Sequence, residues 1–229
     1  MLKISRIHIF ITLVCATAFV LSAQPKIQLN KTVFDLGTIY QGEIRNVPLV
    51  VKNSGNQPLR ILGVETSCGC TTAKRSEEPI LPGTVDTIVV SFNSLGFSGS
   101  ITKIVTVASD DPAAPMMEAR LTGSVTSVLE IVPPMSIINF GSTARGTSIV
   151  KTFFFKNTTK ENFTIHSISS ADSAVKALPQ TTTVNPSDSV SIQFTIAPRT
   201  TSFMDNYFYI ETTHPRQQRI PFRYMYIGR

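Results

Sequence analysis

Cys68-Gly69-Cys70-Thr71 is the run in this chain whose residue types and spacing could do chemistry. Three readings of its two sulfurs are open. In the first they are core packing: residues two apart on a strand face the same way, Val64 and Thr66 share that parity, and free Cys is among the most buried residue types. In the second they bond across Gly69, which an oxidising compartment permits. So small a ring removes only about 1.6 kcal/mol of chain entropy, so the bond would be a poor staple but a readily reduced one. Gly69 would supply the positive φ that such a bend asks for. In the third, two thiolates hold a soft ion such as Cu(I), with a Met beside them.

Other chemistry finds little footing. Past residue 23 the chain offers His166 and His214 and no second Cys pair, so a closed four-ligand zinc site is not available within one chain. There is no Gly-x-Ser-x-Gly elbow, His-Glu-x-x-His, Walker loop or dinucleotide fingerprint. The reading is of a protein that is not an enzyme, with no catalytic or metal-binding residue assigned and no cofactor. Asp86-Thr87-Ile88, Asp172-Ser173-Ala174 and Asp188-Ser189-Val190 resemble short bacterial O-glycosylation acceptors, a pattern that also arises by chance.

The elements that must position the motif come from a repeat. Leu36-Gly37 aligns with Phe140-Gly141, Gly42 with Gly146, Leu49-Val50-Val51-Lys52-Asn53 with Phe153-Phe154-Phe155-Lys156-Asn157, and Pro82 with Pro186, all at an offset of 104 residues without a gap. The second copy carries Asp172-Ser173-Ala174 where the first carries the cysteines.

Both copies read as strands. Val47 to Asn53, Leu59 to Thr66, Thr84 to Phe92, Ile101 to Ser109 and Met117 to Val125 are β-branched or aromatic runs bounded by turn residues, and the second copy answers with Ile149 to Asn157, Phe163 to Ser169, Ser189 to Ile196, Asn206 to Glu211 and Arg219 to Ile227. Ile88, Val90 and Phe92 alternate with polar or exposed partners, as do Val190, Ile192, Phe194 and Ile196, which is the period of half-buried strands. No long stretch keeps a helical period; Ala171 to Leu178 reads as a single turn or part of a strand. Short strands with turns between them predict an all-β protein of two tandem immunoglobulin-like β-sandwiches, joined near Ser124 to Pro134. With no Trp and no widely spaced Cys pair, packing must hold the core. Phe34, Leu49, Val51, Ile61, Ile88, Val90, Phe92 and Val107 are expected inside the first copy, and Phe140, Phe153, Phe155, Ile165, Ile192 and Phe194 inside the second.

Lys3 and Arg6, the apolar run from Ile9 to Leu21 and the small Ser22-Ala23 have the layout of a cleaved secretory signal peptide, with Cys15 a discarded residue of its apolar run. The expected division is residues 1–23 as signal peptide, 24–127 as the first domain and 128–229 as the second, in an exported protein of the periplasm or cell surface with no transmembrane segment in the mature chain. Residues 24–127 hold nine basic and nine acidic side chains, and residues 128–229 hold ten and six. The excess is densest at Arg216, Arg219, Arg223 and Arg229, but Arg219 and Arg223 alternate with Ile220, Phe222 and Tyr224, so they read as the solvated face of a final strand and not as a nucleic-acid patch.

Phe34-Asp35-Leu36-Gly37, Gly42, the stretch Val51-Lys52-Asn53-Ser54-Gly55-Asn56-Gln57-Pro58-Leu59, Ser67-Cys68-Gly69-Cys70-Thr71 and Pro79-Ile80-Leu81-Pro82-Gly83 occur in an order that resembles the bacterial domain of unknown function 1573. That family is similar to immunoglobulin-like domains of the Hydin and major sperm protein type. The resemblance implies an exported bacterial β-sandwich, often from the Bacteroidota, with no established catalytic activity. The second copy looks like a diverged domain of the same fold. The expected function is binding or scaffolding of another envelope protein through sheet edges and loops, with the first and the Arg-bearing final strand as edges. The alternative is a redox-active or Cu(I)-binding protein that uses Cys68 and Cys70.

Overall fold

The computed structural model describes residues 23–229, so the signal-peptide expectation lies outside the described residues except at Ala23. Every regular element described is a β-strand. The first sandwich holds β1 (Ile27–Leu29), β2 (Val33–Tyr40), β3 (Ile44–Asn53), β4 (Ile61–Thr66), β5 (Thr71–Lys74), β6 (Val85–Asn93), β7 (Gly99–Ser109) and β8 (Met116–Thr126). Its sheets run β1-β3-β6-β5 and β2-β8-β7-β4. The second holds β9 (Leu129–Val132), β10 (Ile138–Thr143), β11 (Ile149–Asn157), β12 (Phe163–Ser170), β13 (Val175–Leu178), β14 (Thr182–Val184), β15 (Ser189–Ile196), β16 (Phe203–Thr212) and β17 (Arg219–Gly228). Its sheets run β9-β11-β15-β13 and β10-β17-β16-β12-β14, the same plan with β14 added. Neighbours are antiparallel except β2 beside β8 and β10 beside β17, which are parallel. The all-β tandem sandwich read from the sequence is the fold observed.

Alternation places the cores. Ile88, Val90 and Phe92 point inward from β6 while Val85, Thr87 and Val89 face out. Ile192, Phe194 and Ile196 do the same from β15. The expected core residues are buried, except that Phe34, Ile61 and Phe153 lie at the rims, partly buried against the two cores. Full burial of each such side chain stabilises the fold by roughly 1.5–3 kcal/mol.

The repeat signature has physical causes. Gly42 (φ 92°) and Gly146 (φ 80°) turn the chain into β3 and β11 through the left-handed region, which side chains with a Cβ adopt only at a cost. Asn53 and Asn157 are fully buried at the ends of β3 and β11. The Asn53 amide donates to Gln57 O at 2.7 Å and Ile80 O at 2.8 Å, and Asn157 donates to Glu161 O at 2.7 Å and Val184 O at 3.3 Å. Each Asn thereby ties its strand to the next loop and to the segment preceding β6 or β15.

The sandwiches are joined by Ser127 and Val128 alone; most of the stretch from Ser124 to Pro134 expected to connect them is strand. Gln217, 5% exposed, closes the junction: its amide donates to Gln41 O at 2.9 Å and its oxygen accepts from Val128 N at 2.9 Å. The Arg216 guanidinium sits over the Tyr40 ring, 5.4 Å from its centroid.

Both edge expectations are corrected. The Arg-bearing final strand, β17, lies inside its sheet because β10 passes beside it in parallel. Its arginines do form the solvated face: Arg219 pairs with Glu211 at 3.3 Å and Arg223 with Asp205 at 2.6 Å, both across to β16. The first strand expected from the sequence, Val47 to Asn53, falls in β3 and also lies inside its sheet, between β1 and β6; the edges are β1, β5, β4, β2, β9, β13, β10 and β14.

Candidate functional site

Cys68 and Cys70 stand at a corner. β4 is the edge of one sheet of the first sandwich and β5 the edge of the other, and residues 67–70 carry the chain between them. Ser67 N donates to Ile104 O at 3.0 Å and Asn93 N to Cys70 O at 2.9 Å, so each end of the corner is fastened to its own sheet. Within it Thr71 N donates to Cys68 O at 3.2 Å, and Thr66 Oγ1 lies 2.7 Å from Thr71 O and 3.1 Å from Cys68 O.

The sulfurs are bonded to each other, with Cα atoms 5.3 Å apart. The reading of two buried free thiols is therefore replaced by the bridge. Neither residue is fully buried, because the parity that would send both inward ends with β4 at Thr66 and the chain then bends. A Cu(I) site needs two thiolates, which the bond consumes. Gly69 is corrected too: its φ lies outside the left-handed region and nothing comes within 4 Å of where a Cβ would stand. The bend between the sulfurs is thus made without a conformation reserved for glycine.

The sulfurs differ in their surroundings. Cys70 packs against the first core, whereas Cys68 does not. Thr71 is 2% exposed, and its Oγ1 lies 3.7 Å from Cys68 Sγ and 3.8 Å from Cys70 Sγ. A bonded sulfur carries no hydrogen, so the threonine is the donor. The sequence names these four residues, but not the bond or the role of the hydroxyl.

The equivalent corner of the second sandwich, between β12 and β13, has no sulfur. Asp172 stands where Cys68 does, and its carboxylate accepts from Tyr226 Oη at 2.6 Å and from Ala174 N at 2.9 Å. Ala174, in place of Cys70, is 5% exposed and packs in the core. Tyr224 Oη lies 3.0 Å from Ser170 Oγ and donates to Asp172 at 3.4 Å. Burial pushes the Tyr224 hydroxyl up to about 12, with the bond to Ser170 opposing and the Asp172 charge adding; burial and then Asp172 also raise Tyr226.

Residues 27–125 match the family model described as a protein of unknown function, DUF1573. The first sandwich is therefore similar to that family. Residues 134–223 match the immunoglobulin-like domain of the HYDIN, CFA65 and VesB type, so the two sandwiches of like fold resemble different families. No curated protein matches the sequence. Among solved structures, a protein of unknown function from Porphyromonas gingivalis W83 is 12% identical, with 88% of this chain and 99% of that one covered and a TM-score of 0.38. The VesB protease of Vibrio cholerae is 10% identical over 69% of this chain and 62% of its own, with a TM-score of 0.37. The YadV chaperone is 14% identical over 87% and 98%, with a TM-score of 0.35.

Two clefts lie away from the disulfide of the first sandwich. One of 440 Å³ opens at the junction between Gln41, Phe97, Met135, Phe222 and Arg223. The other, of 410 Å³, runs beside edge strand β13 and is lined by Ile168, Val175, Ala177, Leu178 and Phe208. Gln180 spans its mouth: its amide donates to Ala177 O at 2.7 Å and its oxygen accepts from Ile168 N at 3.0 Å.

Proposed function

We propose that this protein is an exported, non-enzymatic binding or scaffolding module of the bacterial cell envelope that takes an extended segment of another envelope protein as an added strand. The observation that carries the reading is the apolar cleft beside β13. An edge strand offers backbone hydrogen bonds, and a cleft alongside it offers a place for an apolar side chain, which together are what strand addition requires. In the unbound protein the Gln180 amide occupies the backbone carbonyl of Ala177 on β13, which an incoming strand would take over, while its oxygen holds Ile168 N of the facing sheet. Leu178, 63% exposed at the end of β13, would be covered by the same event.

Three buried polar side chains support a non-enzymatic reading, since they are tied to backbone: Asn53 and Asn157 as described, and Asp111 through Ile27 N at 2.9 Å and Ala113 N at 2.8 Å. Export is supported by the signal-peptide layout of residues 1–23 and by a disulfide, which persists in oxidising compartments.

A photo-cross-linking amino acid at position 178, in the native envelope, tests the binding reading. The expected product is one cross-linked envelope protein, joined through an extended apolar segment and absent when the probe stands at Val150 on the same sheet. Equal cross-linking at both positions, or none at 178, overturns it. The bonded sulfurs favour a second reading, in which the Cys68–Cys70 pair is redox-active; reduction by glutathione at millimolar concentration tests that directly.

A further inference from the structure

We infer that the Cys68–Cys70 disulfide is a thiol–disulfide exchange centre in which Cys68 is the sulfur attacked, Cys70 the leaving sulfur, and Thr71 the donor that receives the charge on it. The inference rests on the redox reading of the pair and is independent of strand addition at β13.

Three observations carry it. The bond is not needed to turn this corner, because the second sandwich turns the equivalent corner with Asp172 and Ala174 and a hydrogen bond from Tyr226. The two sulfurs have unequal surroundings: both residues are half-buried, but Cys70 packs against the core and Cys68 is not among the residues packed there, so we assign Cys68 as the sulfur that an incoming thiolate attacks. Finally, a threonine hydroxyl on a residue only 2% exposed has the two sulfurs as its hydrogen-bond partners among the described residues. A buried polar group is ordinarily matched to a strong acceptor, and a bonded sulfur is a weak one. The acceptor becomes strong when the bond opens and Cys70 carries a negative charge.

The chemistry balances with a thiol as co-reactant, either two molecules of glutathione or one protein dithiol. A thiolate attacks Cys68 Sγ in line with the disulfide, a sulfur–sulfur bond to Cys68 forms, the Cys68–Cys70 bond breaks, and its electron pair leaves on Cys70 Sγ. Thr71 Oγ1, 3.8 Å from that atom, donates to the thiolate, which then takes a proton from water. A second thiolate attacks the sulfur of the first reagent in the mixed disulfide and releases Cys68. The protein pair is reduced to a dithiol, and the two external thiols are oxidised to one disulfide. The reverse sequence lets the oxidised pair be restored by an external disulfide.

The experiment exposes the oxidised mature protein to graded reduced glutathione, quenches with acid at intervals, alkylates, and maps adducts by peptide mass spectrometry, for the wild type, Thr71→Val and Thr71→Ser. The expected results are a transient glutathione adduct on Cys68 with Cys70 alkylated, opening slowed about three- to tenfold in Thr71→Val, as loss of one hydrogen bond to a leaving group implies, and recovery in Thr71→Ser. Thermal unfolding of each variant separates this from loss of fold, and Thr71→Ser alone still tests the adduct position if Thr71→Val does not fold. An adduct on Cys70, or an unchanged opening rate in folded Thr71→Val, overturns the assignment of roles while leaving the pair redox-active. No reduction at any glutathione concentration overturns the redox reading itself.

Discussion

The Tyr226 hydroxyl donates to the Asp172 carboxylate at 2.6 Å and so ties β17 to the corner that leads into β13, the corner that the first sandwich closes with sulfur. Tyr226 is 3% exposed and its aromatic ring lies parallel to that of Tyr224, which reaches the same carboxylate. Removing the hydroxyl with Tyr226→Phe leaves Asp172 with a single long bond from a side chain. The expected cost is about 1.5–3 kcal/mol, the range for a hydrogen bond to a charged group, read from denaturant unfolding.

The same pair predicts an alkaline limit. Tyr224 is held neutral in the folded protein up to about 12, against 10.0 for the free side chain, first by burial. The unfolded chain therefore loses this proton first, and stability that is complete below pH 10 falls as the pH rises from 10.0 to about 12. Tyr226 shifts the same way. Tyrosinate absorbance during alkaline titration should rise together with loss of near-ultraviolet circular dichroism in this window. Tyr224→Phe should make the fall shallower; titration of both tyrosines at their ordinary value, with the fold intact, would remove the argument.

Asn53 supports a sharper prediction. It is fully buried, its amide donates to Gln57 O and Ile80 O, and its oxygen accepts from Gly55 N at 2.9 Å. Asn53→Ala orphans these backbone groups and is expected to cost about 3 kcal/mol. Asn53→Asp, similar in shape, replaces the donor by a carboxylate facing two carbonyls and should cost at least as much. Urea unfolding of both variants decides it, and an aspartate as well tolerated as asparagine counts against the donor role.

The long strands were legible because eight or more residues display an alternation that three or four cannot. β1, β5, β9, β13 and β14 are three or four residues long, too short for the sequence to mark them as strands, although the stretch Ala171 to Leu178, which reads as a turn or part of a strand, contains β13. β2 and β10 were hidden for another reason: their register shifts between Asp35 and Thr38 and between Asn139 and Gly141, which breaks the period. The position of β17 inside its sheet depends on a parallel partner some 80 residues earlier in the chain, and a local pattern carries no sign of it. Cys68, Gly69, Cys70 and Thr71 stood out by type and spacing, but whether two sulfurs face a core or each other depends on where β4 ends. Asp172 and Tyr226 are 54 residues apart, and neither is unusual alone.

Gln217 holds the two sandwiches together through opposite ends of one amide. In Gln217→Ala the buried Val128 N–H loses its acceptor and Gln41 O its donor. The expected loss is about 1–3 kcal/mol in the second sandwich, with a broader distribution of sizes in small-angle scattering. Gln217→Glu separates the two effects. It keeps the acceptor for Val128 and abolishes the bond to Gln41, so it should loosen the junction with a smaller loss of stability. A scattering profile of Gln217→Ala that overlays the wild type would show that other junction contacts, such as Arg216 over Tyr40, fix the arrangement.

Gly83 and Ser187 follow Pro82 and Pro186 at equivalent places in the two copies, and both adopt the left-handed region, at φ 77° and 62°. Glycine meets that demand freely, whereas an L side chain there costs roughly 1–2 kcal/mol. Ser187→Gly should remove this cost, less about 0.4–1 kcal/mol from the greater freedom of glycine in the unfolded chain, for a net gain of up to about 1.6 kcal/mol. Gly83→Ala should act in the opposite direction and destabilise the first sandwich by about 1–2 kcal/mol, because nothing within 4 Å of the added Cβ compensates or clashes. The pair isolates backbone conformation from packing, since both positions are exposed. Matched thermal unfolding of the two variants should therefore show shifts of opposite sign; shifts of the same sign would mean that the two turns differ in more than their residue.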